Sequence, residues 1–113
     1  MAQKKQDLRS SINRILLELF KQKGIRVSKI VVFGSRARGV IKKDSDIDLI
    51  VISKDFRDKS IFERVELTTG IGRELVKRTK KPFDIMYYSD LEWNKSHSLI
   101  INAAKKEGKV IYG

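Results

Sequence analysis

The chain has 113 residues, 41% apolar and 35% charged, and no cysteine, so disulfides and thiolate metal sites are excluded and a single globular domain over residues 1–113 is expected. Its formal charge of +11 is uneven: residues 1–43 hold 12 Lys/Arg against 2 Asp/Glu, net +10, and residues 44–60 hold 3 against 5, net −2. A basic half of this kind suits a polyanionic partner or a merely solvated lysine-rich surface, and charge alone does not choose between them.

Leu8, Ile12, Ile15, Leu16, Leu19 and Phe20 recur at helical spacing, which predicts an amphipathic helix over 6–23 ended by Gly24. Its apolar run Ile15-Leu16-Leu17 is cut by Glu18, too early for a secretory segment, and no stretch approaches a membrane span. A cytoplasmic location is the default expectation. Lys29-Ile30-Val31-Val32-Phe33 reads as a buried strand stopping at Gly34, and 34–44 as a loop or short helical turn. Asp46 to Ile52 alternates as a second strand. Ser60-Ile61-Phe62-Glu63 has capping-box spacing and opens a helix to about Thr79, locally weakened by Gly70 and Gly72. Pro82 ends it, and Phe83 to Tyr88 reads as a third strand. Asp90 is the expected N-cap of a short helix around Trp93, a last helix follows over 97–107, and Gly108 caps it before an extended tail, Lys109 to Tyr112. The order α-β-α-β-α-β places the chain in the α/β or α+β class, with helices packed against a compact mixed sheet.

The chemistry concentrates in Phe33 to Gly39 and in Asp46-Ile47-Asp48-Leu49. On a strand, residues i and i+2 share a face about 7 Å apart, so Asp46 and Asp48 can converge on hard cations while Ile47 and Leu49 enter the core. Magnesium favours such oxygen ligands, usually a few carboxylates together with substrate phosphates. Beyond Asp48 the same face turns apolar at Ile50 and Ile52, as expected where a cleft opens at one end of a sheet. Gly34-Ser35 after a buried strand lets backbone N–H groups and a hydroxyl approach phosphate oxygens, or forms a plain turn. Arg36 and Arg38 match phosphate geometry, or are solvated. Asp84 lies inside an apolar strand, where a carboxylate is costly unless it is paired or binds a metal. It is therefore a third ligand or a general base, or a partner for Arg78, Lys80 or Lys81. Asp44 fits a turn or supporting role. His97, the only histidine, has no second His or Cys with which to build a metal site. Trp93, Tyr87 and Tyr88 suit packing more than base stacking.

Gly34-Ser35, ten intervening residues and Asp46-Ile47-Asp48 together resemble the signature of the DNA polymerase β-type nucleotidyltransferase superfamily. Gly34-Ser35-Arg36-Ala37-Arg38-Gly39 followed by Asp44-Ser45-Asp46-Ile47-Asp48-Leu49 is similar to its minimal nucleotidyltransferases, often encoded as antitoxins beside a helical HEPN-type toxin. The resemblance continues through Asp84, Asp90-Leu91 and Glu107-Gly108 to Tyr112, nearly the whole chain. It implies a polymerase β-like fold, two magnesium ions at Asp46, Asp48 and Asp84, and triphosphate contacts from Gly34 and Ser35 aided by Arg36 or Arg38. It also implies transfer of a nucleoside monophosphate, AMP from ATP, to a tyrosine of the cognate toxin. Larger relatives carry acceptor-gripping domains for which this length leaves no room, so a partner protein or a self-assembled homo-oligomer is expected to supply the acceptor. Two other readings stand beside this one. The first is a non-catalytic antitoxin that neutralises its partner by occlusion. The other is a nucleic-acid-binding module, ranked last because no recognised motif or aromatic platform accompanies the charge.

Overall fold

The computed structural model describes residues 8–33, 46–95 and 98–113. Helix α1 (Leu8–Gln22) buries Ile12, Ile15, Leu16, Leu19 and Phe20, the stripe its periodicity requires. Gly24 takes φ of 73°, and the Ile25 N–H donates back to the Phe20 carbonyl, closing the helix. Strands β1 (Lys29–Phe33) and β2 (Ile47–Ile52) pair antiparallel, with Phe33 opposite Asp48 and Lys29 opposite Ile52. A short 3-10 turn, Lys54–Phe56, is capped by the Ser53 hydroxyl, which accepts from the Asp55 N–H.

The helix expected from Ser60 to Thr79 is broken, not merely weakened. Helix α2 (Ile61–Leu67) has the full capping box, with Ser60 and Glu63 each accepting from the other's backbone N–H. It stops where the Thr68 and Thr69 hydroxyls donate back to helix carbonyls and Gly70 turns left-handed at φ of 85°. Helix α3 (Ile71–Thr79) then starts afresh and ends on Lys80, itself left-handed, two residues before Pro82. Strand β3 (Phe83–Tyr88) runs parallel to β2. In helix α4 (Asp90–Lys95) the N-terminal box belongs to Ser89 rather than Asp90: Ser89 Oγ accepts from the Glu92 N–H, and Glu92 Oε1 accepts from the Ser89 N–H. Asp90 instead receives the Arg57 guanidinium. Ser98 caps helix α5 (Leu99–Glu107).

The tail expected after Gly108 is a strand. Strand β4 (Lys109–Tyr112) pairs antiparallel with β1, giving a four-stranded mixed sheet in the order β3-β2-β1-β4. Gly108 makes that turn-in possible, because a Cβ there would stand 2.5 Å from the Ala104 carbonyl and 3.0 Å from the Val32 carbonyl. The α/β class with a mixed sheet is as expected, although the element order is α-β-β-α-α-β-α-α-β.

Two cores sandwich the sheet. On one face Ile30, Val32, Ile47, Leu49 and Val51 pack with α1 and with Ile71 and Leu75 of α3. On the other, Val31, Ile50 and Ile52 pack with Trp93 of α4 and Ile101 and Ala104 of α5. Among the described residues no helix is long and apolar enough to cross a membrane.

Candidate carboxylate site

Strand register sorts the second face into three rows. Phe33, Asp48 and Asp84 lie side by side across β1, β2 and β3; Val31, Ile50 and Met86 form the next row; Lys29, Ile52 and Tyr88 form the third. Directly opposed residues share a sheet face, so Asp48 and Asp84 are neighbours on adjacent parallel strands. Ile50 and Ile52 are sealed beneath Trp93, Ile101 and Ala104. In the Phe33 row the cover thins: Asp48 is half-buried, and Asp84 and Asp46 are exposed. Leu49 and Ile47 fix β2 from the opposite side, at 0% and 1% exposure.

Asp84 and Asp46 both come within electrostatic reach of Asp48. Burial pushes the Asp48 carboxyl above its usual 3.8, and the charges of Asp84 and then Asp46 push it further the same way. Among the described residues, none of the three carboxylates forms an ion pair. Arg78, one expected partner for Asp84, is engaged by Glu74 and Glu18 instead. The argument that Asp84 is costly because it is buried does not hold, since β3 is an edge strand and Asp84 faces water. Its apposition to Asp48 is what sets it apart.

The donor chemistry fits a hard divalent cation. The groups are all carboxylates, Asp48 and Asp84 on a rigid strand pair and Asp46 directly before β2, with one end open, and a cation would relieve the repulsion that Asp84 and Asp46 add to the burial of Asp48. They are not drawn into a closed cluster, and among the described residues no group of three or more His, Cys, Asp or Glu side chains is gathered tightly enough to hold a metal ion. An open carboxylate set of this kind leaves coordination positions for substrate phosphates and water.

Gly34, Ser35, Arg36 and Arg38, with Asp44 and His97, lie outside the described residues. Phe33, which directly precedes Gly34 in sequence, is the residue facing Asp48. The sequence sets Phe33 at the head of the Gly34-Ser35 stretch but does not set it beside Asp48. The signal available was that consecutive strands joined by a glycine-containing loop can pair antiparallel, which brings the end of one beside the start of the next. The tyrosines and the tryptophan pack as expected: Trp93 is buried under Lys105, and Tyr87 meets Phe20 and Phe56 edge-on.

The chain matches the model of the nucleotidyltransferase domain family over residues 10–111 and belongs to that family. By family it is therefore an enzyme of the nucleotidyl-transfer class. No curated protein matches the sequence. Among solved structures it is similar to a chain of a toxin-antitoxin crystallised with AMP-PNP, with a TM-score of 0.56 and 22% identity over 88% of this chain and 72% of that one. A mutant of the toxin-antitoxin MntA-HpeT superposes with a TM-score of 0.58 at 20% identity, covering 90% of this chain and 72% of the other. A chain from the tri-AMPylated Shewanella oneidensis HEPN toxin in complex with MNT antitoxin gives 0.51 at 19% identity, over 93% and 72%. At these identities the likeness is one of fold.

Proposed function

We propose that the chain acts as one magnesium-dependent nucleotidyltransferase domain that moves AMP from ATP to a hydroxyl of a protein partner. The acceptor in this reading is a tyrosine of a cognate HEPN-type toxin in the cytoplasm, for which the chain serves as antitoxin. The observation that carries the reading is the Asp48–Asp84 pair, in register on adjacent strands at the open end of a sheet face that is otherwise covered. Family membership supports the reaction class. The toxin-antitoxin and AMP-PNP relatives support the partner and the nucleotide.

Asp46, Asp48 and Asp84 would hold the magnesium, two ions by family resemblance. When bound, the metal supplies charge neutralisation on the phosphates and a lowered pKa for the acceptor hydroxyl. Gly34 and Ser35 contact the β- and γ-phosphates, with Arg36 and Arg38 as added positive charge, a role carried by the sequence motif. Asp84, the exposed member of the pair, orients the acceptor hydroxyl and takes its proton. The hydroxyl oxygen forms a bond to the α-phosphorus, the bond from that phosphorus to pyrophosphate breaks, and AMP remains on the acceptor. The rigid floor of Leu49 and Ile47 beneath Asp48 keeps the carboxylates from relaxing apart as charge shifts during the step.

The test is calorimetric titration with ATP, with and without magnesium, on the wild type and on Asp46→Asn/Asp48→Asn. Magnesium-dependent binding in the wild type, lost in the double variant with its unfolding midpoint kept, is the expected result. ATP binding that ignores magnesium, or that survives the double substitution, overturns the assignment and leaves occlusion of the partner as the mode of action.

A further inference from the structure

Helix α2 is built inside out. Its one buried residue is Arg64, while Ile61, Phe62 and Val65 are 75%, 84% and 58% exposed. The arginine is held at three points: Nε donates to the Lys59 carbonyl at 3.1 Å, Nη1 donates to the Tyr87 carbonyl at 2.9 Å, and Nη1 pairs with the Glu92 carboxylate at 2.8 Å. The polar side of the helix therefore anchors it to the fold, and the apolar side is left in water, the reverse of an ordinary amphipathic helix. These side chains expose apolar surface on the order of several hundred Å², the size at which a patch on a monomer marks a contact site. Beside them a groove of about 270 Å³ runs along β3, lined by Ile61, Val65, Ile85 and Tyr87.

The charges around this face suggest its occupant. Residues 59–67 carry no net charge in a chain of +11, and with Arg64 turned inward onto Glu92 the charges left at this face are Lys59, Glu63 and Glu66. Copies of so basic a protein repel one another across their basic halves, and this face lacks that basic excess. The order of residues is also self-complementary. Two α2 helices laid antiparallel about a twofold axis near Phe62 place Lys59 of each beside Glu66 of the other and Ile61 of each beside Val65 of the other. That is the pattern an isologous contact needs, since every pairing occurs twice. The opposed helix dipoles run the same way.

We propose that α2 is the contact helix of a homodimer, each copy covering the other's Ile61, Phe62 and Val65, with Lys59–Glu66 ion pairs at both ends. A stable dimer needs about 800 Å² from each partner, more than a short helix offers, so the groove along β3 is covered as well. Contact there is through side chains and not by continuation of the sheet, because Arg64 already occupies the outward Tyr87 carbonyl of that edge strand. This surface is assigned independently of the nucleotidyl-transfer reading.

Sedimentation analysis from about 5 to 200 μM tests it, in the micromolar range where a contact of this size operates. The wild type is expected to be a dimer and Phe62→Glu a folded monomer whose thermal midpoint no longer varies with concentration, since Phe62 touches no core. Lys59→Glu alone is expected to weaken the dimer about 10-fold by placing like charges together, and adding Glu66→Lys to the same chain to restore it. Both charge changes suit the helix dipole, so folding is preserved. Leu99→Glu, on the exposed start of α5, should leave assembly unchanged. A wild type that stays monomeric to 200 μM overturns the proposal, even if another protein covers the face. A dimer indifferent to Phe62→Glu, or broken by Leu99→Glu instead, overturns it too.

Discussion

The face of β2 that carries Asp48 also carries Ile50 and Ile52, and its two ends differ in everything but geometry. At one end Ile50 and Ile52 lie beneath Trp93, Ile101 and Ala104 with at most 1% exposure. At the other, Asp48 is half-covered beside Asp84, with Asp46 near enough to add its charge. Helices α4 and α5 cover the Ile50 and Ile52 rows and thin out toward the first row. The apolar end holds the strand still. The acidic end is left with carboxylates that form no ion pair among the described residues, an arrangement whose donor chemistry suits the cation proposed above.

Substitutions at successive rows should separate these roles. Ile50→Ala removes a fully buried side chain and is expected to cost about 2–5 kcal/mol in urea denaturation. A loss under about 1 kcal/mol would mean that the α4–α5 cover is loose and that the two ends are not distinct. Asp48→Asn, two residues earlier on the same face, should change stability at neutral pH by no more than about 0.5 kcal/mol, in the stabilising direction when metal is chelated. Marked destabilisation would show that Asp48 has a structural partner.

The smallest effect is in pH dependence. Asp48 has a raised carboxyl, so the folded state binds its proton more tightly than the unfolded chain does. Glu63, Asp90 and Glu92 titrate in the opposite sense, so the contribution of Asp48 is read as the difference between wild type and Asp48→Asn. In chelator, that contribution should fall as pH rises from about the ordinary 3.8 through the raised folded value, and level off above it. Asp84→Asn should lower the Asp48 titration midpoint, followed by carboxyl-carbon NMR, without bringing it back to the ordinary value, because burial is the larger cause. A return to the ordinary value would make the pair's repulsion the dominant cause.

The parts of this protein legible in its sequence are those governed by near neighbours. The stripe of α1, the extents of β1 and β3, the Ser60–Glu63 box and the shared face of Asp48, Ile50 and Ile52 follow from periods of 3.6 and 2 and from contacts three residues apart. The family motif could be read as well, and the match over residues 10–111 agrees with it.

What the sequence did not disclose depends on partners far along the chain. Lys109 to Tyr112 becomes a strand because β1, some 80 residues earlier, offers an open edge, and Gly108 has no side chain to block the approach. Arg64 is buried because the Tyr87 carbonyl and Glu92 arrive from β3 and α4 to receive it, which leaves the apolar residues of α2 facing outward. Asp84 is exposed because β3 ended at the sheet's edge, and Asp48 is raised first by its burial and then by the charge of Asp84 arriving beside it. Local sequence determined which residues share a face. Tertiary pairing decided which faces are covered and which charges meet, because burial and Coulomb repulsion depend on distance in space and not on separation along the chain.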